Sequence, residues 1–566
     1  MVGMSRILLW LAAGSLLQAG TVRFRQECLK DLVAGVPGIL ASQDAKTGRF
    51  GTGIWIVTDQ NVMLPLAAAW SWQDDSNPYY HDAKVLDAIM LAGDALIDDQ
   101  DATGQWVFRK KDGSTWGNIY MPWIYTRWIR SFALVREAMP EERRARWEKA
   151  LRLGYNGIFK EVGLWRVHNI AAHHAMGLYF AGEVFGEPSW QALAAERLRT
   201  VAASQNSDGY WTEHKGPVVI YGFVYVEALG TYYAKSHDPE VLPALRKSAV
   251  FHSYFTYPDG TNVETVDERN PYYPVVQMPN VGFTFSPEGR SYVSRQLHRR
   301  EGLIPADVAA SLLLWGEEGE GAAIDPGKDD FDYRLPSGDA AIRRRGPWFL
   351  VASAMTAPVP EVRWIQDRQN LVSVYHEKVG LIYGGGNTKL QPAWSNFTVG
   401  DTRLLAHRAG DENPKFPPPP GLLHVPSSAR LLDGKDFGVA FVYGTHRGRI
   451  SLSVKSPASV EVAVSGDAQM TAHATLLPHL KKAVAGASGK QLVLGDEPFQ
   501  WTAADAGAWF EHAGARISMP RGATVRWPLL PHDPYKKDGA ATSDQARIVI
   551  DFPASPASTL TIQVGR

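Results

Sequence analysis

Three stretches of this chain hold residue types suited to moving protons beside a negative charge. The first, Trp165-Arg166-Val167-His168-Asn169-Ile170-Ala171-Ala172-His173-His174, gathers three histidines and an amide. The second is Asp208-Gly209-Tyr210-Trp211-Thr212-Glu213-His214, followed by Tyr221-Gly222. The third is Gly289-Arg290-Ser291-Tyr292-Val293-Ser294-Arg295. Histidine, with an ordinary pKa of about 6.5, exchanges a proton readily near neutrality. Tyrosine, ordinarily near about 10, becomes a usable base only beside a cation, and can then return the proton. Arg290 and Arg295 are candidate cations. An Asn amide hydrogen-bonds a carboxylate, and Arg or His cations stabilise the enolate-like charge that grows when the adjacent carbon loses its proton. Such a set meets the needs of elimination across C4–C5 of a uronic acid: the carboxylate is neutralised, a base takes the C5 proton, and an acid protonates the departing O4. Singly, each residue reads as readily as core or surface. Tyr225, four residues after Tyr221 and on the same helix face, is its rival. His173, four after Asn169, is a rival for the carboxylate.

The elements that must position these residues fall into two textures. From residue 21 to about 320, apolar residues recur every three or four positions, as in Asp82–Asp98, Glu141–Tyr155, Ile170–Gly186, Trp190–Ser204 and Tyr221–Lys235. From about 340 onward, short alternating or β-branched runs dominate: Trp348–Ala352, Leu371–Tyr375, Ile450–Val454, Ser459–Val464, Ala546–Ile550 and Leu560–Val564. The Gly- and Asp-rich stretch 321–339 reads as a linker. Within the helical part a Gly-x-aromatic element recurs at Gly48-Arg49-Phe50, Gly104-Gln105-Trp106, Gly163-Leu164-Trp165 and Gly209-Tyr210-Trp211, with Asp259-Gly260 continuing the series. A period near 50 residues is that of stacked helical hairpins. The expected fold class is therefore α+β and multidomain: an N-terminal (α/α) toroid, an incomplete barrel, over 21–320, and a C-terminal antiparallel β-sandwich over 340–566. An open solenoid is the alternative to the ring. In a closed ring, equivalent loops converge on one rim and bring Trp106, Trp116, Trp165 and Trp211 to a cleft, where aromatic faces suit sugar rings. Core packing is the competing reading for any one of the 19 tryptophans.

The whole chain sets the bounds. Its 566 residues carry a formal net charge of −1, so no global field draws in nucleic acid. Arg6, the apolar run Ile7–Leu17 and Leu17-Gln18-Ala19 read as an export signal over residues 1–20. That run is too short to span a bilayer, and no later segment qualifies. A single cysteine, Cys28, excludes an intrachain disulfide. Export to a periplasm or to the medium is expected. No metal spacing of diagnostic form is present, since adjacent His173-His174 is poor ligand geometry. Gly384-Gly385-Gly386-Asn387 is a turn, not a phosphate loop, and no cofactor is expected.

The run Asp208-Gly209 to His214, followed by Tyr221-Gly222, resembles the catalytic stretch of the hyaluronate, chondroitin AC and xanthan lyases (polysaccharide lyase family 8). Asn169 upstream and Gly289-Arg290-x-x-x-Ser294-Arg295 downstream resemble further family segments, in the same order. Heparinases and alginate lyases of the toroid type are similar more loosely. The resemblance spans about a quarter of the chain, Trp165 to Arg295. His214 and Tyr221 stand closer together than in the family, and the paired tryptophans after the family's Asn are missing. The resemblance implies an α/α toroid followed by antiparallel sheets and an acidic polysaccharide as substrate. It implies Asn169 as carboxylate neutraliser, His214 as base or neutraliser, Tyr221 as acid, and Arg290 and Arg295 as positioning cations.

Three other readings compete. A glycoside hydrolase needs two carboxylates, which Asp208, Glu213, Asp259, Glu264 and Asp267 could supply. A terpene-cyclase-like toroid matches the Gln-x-x-x-Gly-x-Trp repeats at Gln100 and Gln205 but lacks an Asp-x-Asp-Asp. A non-catalytic glycan-binding protein would keep binding without turnover.

Overall fold

The computed structural model describes residues 20–51, 58–109, 114–408 and 410–565. The export signal expected over residues 1–20 lies almost wholly outside these. The first half is helical: α1 (Arg25–Ala41), α2 (Met63–Ser71), α3 (Ala83–Asp99), α4 (Pro122–Val135), α5 (Glu141–Val162), α6 (Asn169–Phe185), α7 (Pro188–Ala203), α8 (Val219–Ser236), α9 (Leu242–Tyr254), α10 (Pro287–Arg299) and α11 (Ala306–Trp315). Their contacts close a circuit. α2 packs on α4, α4 on α6, α6 on α8, α8 on the short helical turn Val281–Phe285, that turn on α11, and α11 back on α2. The inner helices are apolar nearly all round; α6 buries Ala171, Ala172, Ala175, Gly177 and Ala181, whose small side chains permit close approach. α3, α5, α7, α9 and α10 lie against the inner members. In the outer layer Trp147 of α5 fits over Gly93 of α3, where a Cβ would stand 1.8 Å from the indole.

Side chains meet across the middle of the circuit. Arg127 of α4 pairs with Asp307 of α11 at 2.6 Å and with Glu227 of α8 at 3.0 Å. Arg130 lies 3.5 Å from Glu227, and His173 of α6 lies 3.6 Å from it. Four helices that are not all neighbours thus share one buried ionic cluster.

The glycine repeat has a structural content of its own. Gly48, Gly104, Gly209 and Gly260 all adopt φ between 72° and 93°, a region open to glycine at little cost. Each closes the turn that follows an outer helix and leads to the next inner element. Gln43 and Gln205 each donate from one amide to a turn carbonyl (Gly48, 2.8 Å; Gly209, 3.0 Å) and to an outer helix (Ala88, 2.8 Å; Ala244, 2.9 Å). At these turns the repeat is a clip between successive hairpins; Gly163, expected as a further member, instead ends α5 with φ −66° in the right-handed region.

From Phe331 the chain turns to strands. Among the described residues, ten make one antiparallel sheet, from Phe499–Thr502 at one edge to Phe331–Arg334 at the other, and nine make a second, from Ser428–Leu431 to Gln491–Val493. The two sheets share a core that includes Leu350, Val374 and Ile550 of the first and Val439, Ile450 and Val462 of the second. The first sheet begins inside the stretch 321–339 read as linker. Its other face (Ile342, Phe349, Val351, Tyr375) joins the helical core. The α+β class therefore stands, with two halves that share apolar surface. No described helix is long and apolar enough to cross a membrane.

Candidate active site

Three contacts fix how α6 and α8 run. His173 lies 3.6 Å from Glu227, Tyr179 packs edge-on against Tyr232 at 4.8 Å, and Glu183 pairs with Lys235 at 2.9 Å. As α6 advances, α8 advances with it by a nearly constant offset. The helices are parallel, and Asn169, the first residue of α6, stands level with the first turn of α8, which holds Tyr221. Both inner helices thus present their N-termini, the positive ends of their dipoles, on one rim.

Tyr221 is half-buried beneath Arg269. The guanidinium carbon lies 5.1 Å from the phenol ring centroid, and Arg269 Nη1 donates to the Tyr221 hydroxyl. Burial pushes the phenol above its ordinary pKa, and the charge of Arg269 opposes that rise. The resting phenol is therefore protonated, with a cation placed to stabilise the phenolate. Arg269, and not Arg290 or Arg295 as the sequence suggests, is the cation in contact with Tyr221. Arg290 instead donates to the carbonyls of Glu320 (2.8 Å) and Thr284 (2.9 Å). Arg295 is buried, donates to the Ser253 carbonyl at 2.6 Å and sits 3.5 Å from Asp325. Both stitch α10 to its surroundings.

The loop before α8 is built to hold its shape. Thr212 and Pro217 form a bridge, and the Glu213 N–H donates to the Gly216 carbonyl at 3.2 Å. The His214 and Lys215 N–H groups donate to the two oxygens of Glu268, each at 2.9 Å, and the Val219 N–H donates to Asp267 at 2.8 Å. The His214 ring is exposed to solvent. Asn169 is half-buried, and its carbonyl oxygen accepts from the Ile170 N–H at 2.6 Å.

Tyr225 is committed elsewhere. It is buried, stacks on Trp211 at 4.8 Å and donates to Glu213 at 2.6 Å. Burial and the Glu213 charge hold its phenol far above the usual range, and burial also raises the Glu213 carboxyl. The charge of Arg166, in the turn before α6, opposes the rise at Glu213 and Tyr225 and adds to the burial that lowers His168, which brings the first and second sequence stretches to one place.

The tryptophans divide. Trp106 and Trp211, 2% and 3% exposed, donate their indole N–H groups to the Leu96 and Val201 carbonyls, each ten residues earlier. They are core members of the repeat and offer no face to a sugar. Trp116 is 60% exposed and stacks on Phe108 at 4.8 Å, in a hairpin (Trp106–Arg109 with Thr115–Ile119) that leads into α4 on the same rim. Trp165 is half-buried, 5.0 Å from the His174 ring. His173 is buried among Glu227, Trp123 and the arginines, which removes it from a surface role; its pKa falls to about 4 through burial.

The sheet half contributes residues that sequence reasoning missed. Trp364 lies 5.8 Å from Arg269 and 5.3 Å from Tyr535. Arg269, in the charged run Asp267-Glu268-Arg269, was missed as well. The sequence also holds a polar cluster of Arg363, Asp367, Arg368, Asn370 and His376 in the sheet half; Arg363 donates to the Lys536 carbonyl. Asp367 is buried against Lys389 (3.1 Å) and His424 (3.0 Å), Asn370 donates to Thr475 at 2.6 Å, and His376 packs on Trp348.

No protein-family model matches the chain, and no curated protein matches it by sequence. Solved structures do. The chondroitin AC lyase of Streptomyces coelicolor A3, in complex with chondroitin sulphate, gives a TM-score of 0.52 at 14% identity, over 99% of this chain and 81% of that one. A Paenibacillus xanthan lyase gives 0.56 at 12% identity, over 98% and 59%. A heparinase III gives 0.50 at 12% identity, over 99% and 86%. The chain shares its fold with polysaccharide lyases. The lyase fold covers both halves, well beyond the quarter of the chain that carries the motifs, and the chain spans 59% of the xanthan lyase's length.

Proposed function

We propose that this protein is an exported lyase that cleaves a uronic-acid-containing polysaccharide by β-elimination. The helical circuit is read as an (α/α) toroid with an open rim, and the stacked sheets as a β-sandwich that closes one side of it. The observation that carries the reading is the Tyr221 hydroxyl held by Arg269, with the His214 loop beside it and Asn169 on the adjoining helix start. The Asn169 amide and Arg269 receive the uronate carboxylate and stabilise the charge that develops there. His214 takes the C5 proton. The electron pair of that C–H bond forms the C4–C5 double bond, and the C4–O4 bond breaks. Tyr221 donates its proton to O4, Arg269 stabilises the phenolate left behind, and the proton on His214 then restores the phenol. Trp116, Trp165 and Trp364 are the aromatic faces available to flanking sugars.

The carboxylates weigh against a hydrolase. Asp208 accepts from the Ser337 N–H, Asp259 from Thr261, Glu264 from Ser373 and Gly385, and Asp267 caps α8. Glu213 and Asp267 both act on Tyr221 by their charge, but Asp267 is taken up by the Val219, Arg269 and Asn270 N–H groups, whereas hydrolysis needs two available carboxylates. The test is a panel of acidic polysaccharides read by the ultraviolet absorbance of the unsaturated uronate. Tyr221→Phe is expected to lower turnover by at least about 100-fold while glycan binding survives; undiminished turnover would remove Tyr221 from the mechanism.

A further inference from the structure

The segment Val266–Arg269 is clasped from two sides. Toward the helices, Asp267 caps α8, Glu268 takes the His214 and Lys215 N–H groups, and Arg269 meets Tyr221. The Glu268 N–H also donates to the Pro217 carbonyl at 3.0 Å, at the other end of the same loop. Toward the sheets, the Gln366 N–H donates to the Glu268 carbonyl at 2.7 Å and the Gln366 side chain to the Arg269 carbonyl at 3.1 Å. Arg368 donates to the Val266 carbonyl at 2.7 Å, and its other terminal nitrogen lies 3.7 Å from the Glu268 carboxylate. That nitrogen also presses on the His214 loop, since a Cβ on Gly216 would stand 2.3 Å from it.

The pair is buried: the Glu268 and Arg368 side chains are 1% and 3% exposed. A buried carboxylate is costly without a counter-charge. With one, it holds two successive peptide N–H groups in a fixed orientation. Without one, it takes up a proton or turns away. A protonated carboxyl presents an O–H that a backbone N–H cannot use, so one of the two contacts is lost.

We propose that Glu268 and Arg368 are positioning residues for His214: Arg368, from the sheet half, holds the Glu268 carboxylate, which fixes the His214–Lys215 backbone, so that docking of the sheets sets the geometry of proton transfer. This rests on reading His214 as the proton acceptor. The Ser373 contacts join the same two halves away from that loop. Ser373 donates to Glu264 at 2.6 Å and meets Thr265 at 2.5 Å, yet touches no part of the His214 loop.

The experiment is hydrogen–deuterium exchange on the full chain, followed at residues 212–217, for the wild type, Glu268→Gln, Arg368→Gln and Ser373→Ala. Exchange at 214–215 is expected to accelerate about tenfold or more in the first two variants and to stay unchanged in the third. Alongside, kcat of Arg368→Gln is expected to fall about 100-fold with KM nearly constant, and kcat of Ser373→Ala to hold. Unchanged exchange at 214–215 in a folded Arg368→Gln chain would overturn the proposal, as would equal acceleration in Ser373→Ala. Should Arg368→Gln not fold, Gly216→Ala displaces the guanidinium without deleting it, and the same two readouts decide. Exchange needs no substrate, so a wild type inert on every polysaccharide would sink the lyase reading while the exchange data still judged the latch.

Discussion

Replacing Arg269 with Met removes the cation over Tyr221 but leaves a chain of similar length against Trp364. Burial already raises the phenol's pKa, and Arg269 is the foremost charge opposing that rise. A hydrogen bond from a charged donor contributes about 1.5–3 kcal/mol, and a pKa unit corresponds to about 1.4 kcal/mol. The variant's phenol should therefore titrate roughly one to two units higher than in the wild type. The sign follows because the lost interaction favoured the ionised form. If phenolate character develops as the sugar's O4 takes its proton, kcat should fall by roughly 10- to 100-fold. The titration is read as the ultraviolet difference spectrum of phenolate formation, with Tyr221→Phe as the blank, and kcat by product absorbance. A variant whose phenol titrates as before and whose kcat is intact would refute the pairing of Arg269 with Tyr221 as a functional one.

Tyr225→Phe should lower kcat by less than about tenfold, in contrast to Tyr221→Phe, because its hydroxyl is buried on Glu213; a larger loss in initial rates would reverse the choice between the two tyrosines. Burial pulls His173 down to about 4, and His174 and His252 to about 3. Their folded pKa values lie below the unfolded one, so the stability is complete above about pH 6.5 and drains as pH falls toward 4 and below, by roughly 2 kcal/mol per ring at pH 5; urea midpoints at pH 7 and pH 5 measure it, and equal midpoints would contradict it. Glu227→Gln leaves Arg130 buried without its carboxylate and should destabilise the chain by about 3–5 kcal/mol in urea; a change under about 1 kcal/mol would mean the central cluster does not hold the circuit together. Gly93→Val drives a side chain into Trp147 and should lower the melting temperature sharply, at a cost of about 1–3 kcal/mol or more, and an unaltered melting curve would show that the α3–α5 contact yields.

The helices over Asp82–Asp98, Glu141–Tyr155 and Tyr221–Lys235 were legible because burial on one or both sides leaves a periodic residue choice. The repeat was legible as a repeat but not as to its purpose. Aromatic type suggests a cleft for Trp106 and Trp211, while the carbonyl that each indole bonds ten residues earlier leaves no mark in residue spacing. Tyr221 and His214 stood out through their nearness to each other in sequence. Arg269 did not, because its nearness to Tyr221 is made by a loop that folds back across some 48 positions. Arg290 and Arg295 looked alike in type and were drawn into backbone contacts instead. Trp364 was invisible for the same reason, since only the packing of sheets on helices brings it over the rim.

The face formed by Ile342, Phe349, Val351 and Tyr375 belongs to the sheets in sequence and to the helices in space. Severing the chain near residue 320 would strip a lid from the helical half and leave oily flesh on both cut pieces, so each fragment should clump rather than stand as a working module. Swapping the sheet half for that of a structural cousin would succeed only if the transplanted strands carried a matching apolar face.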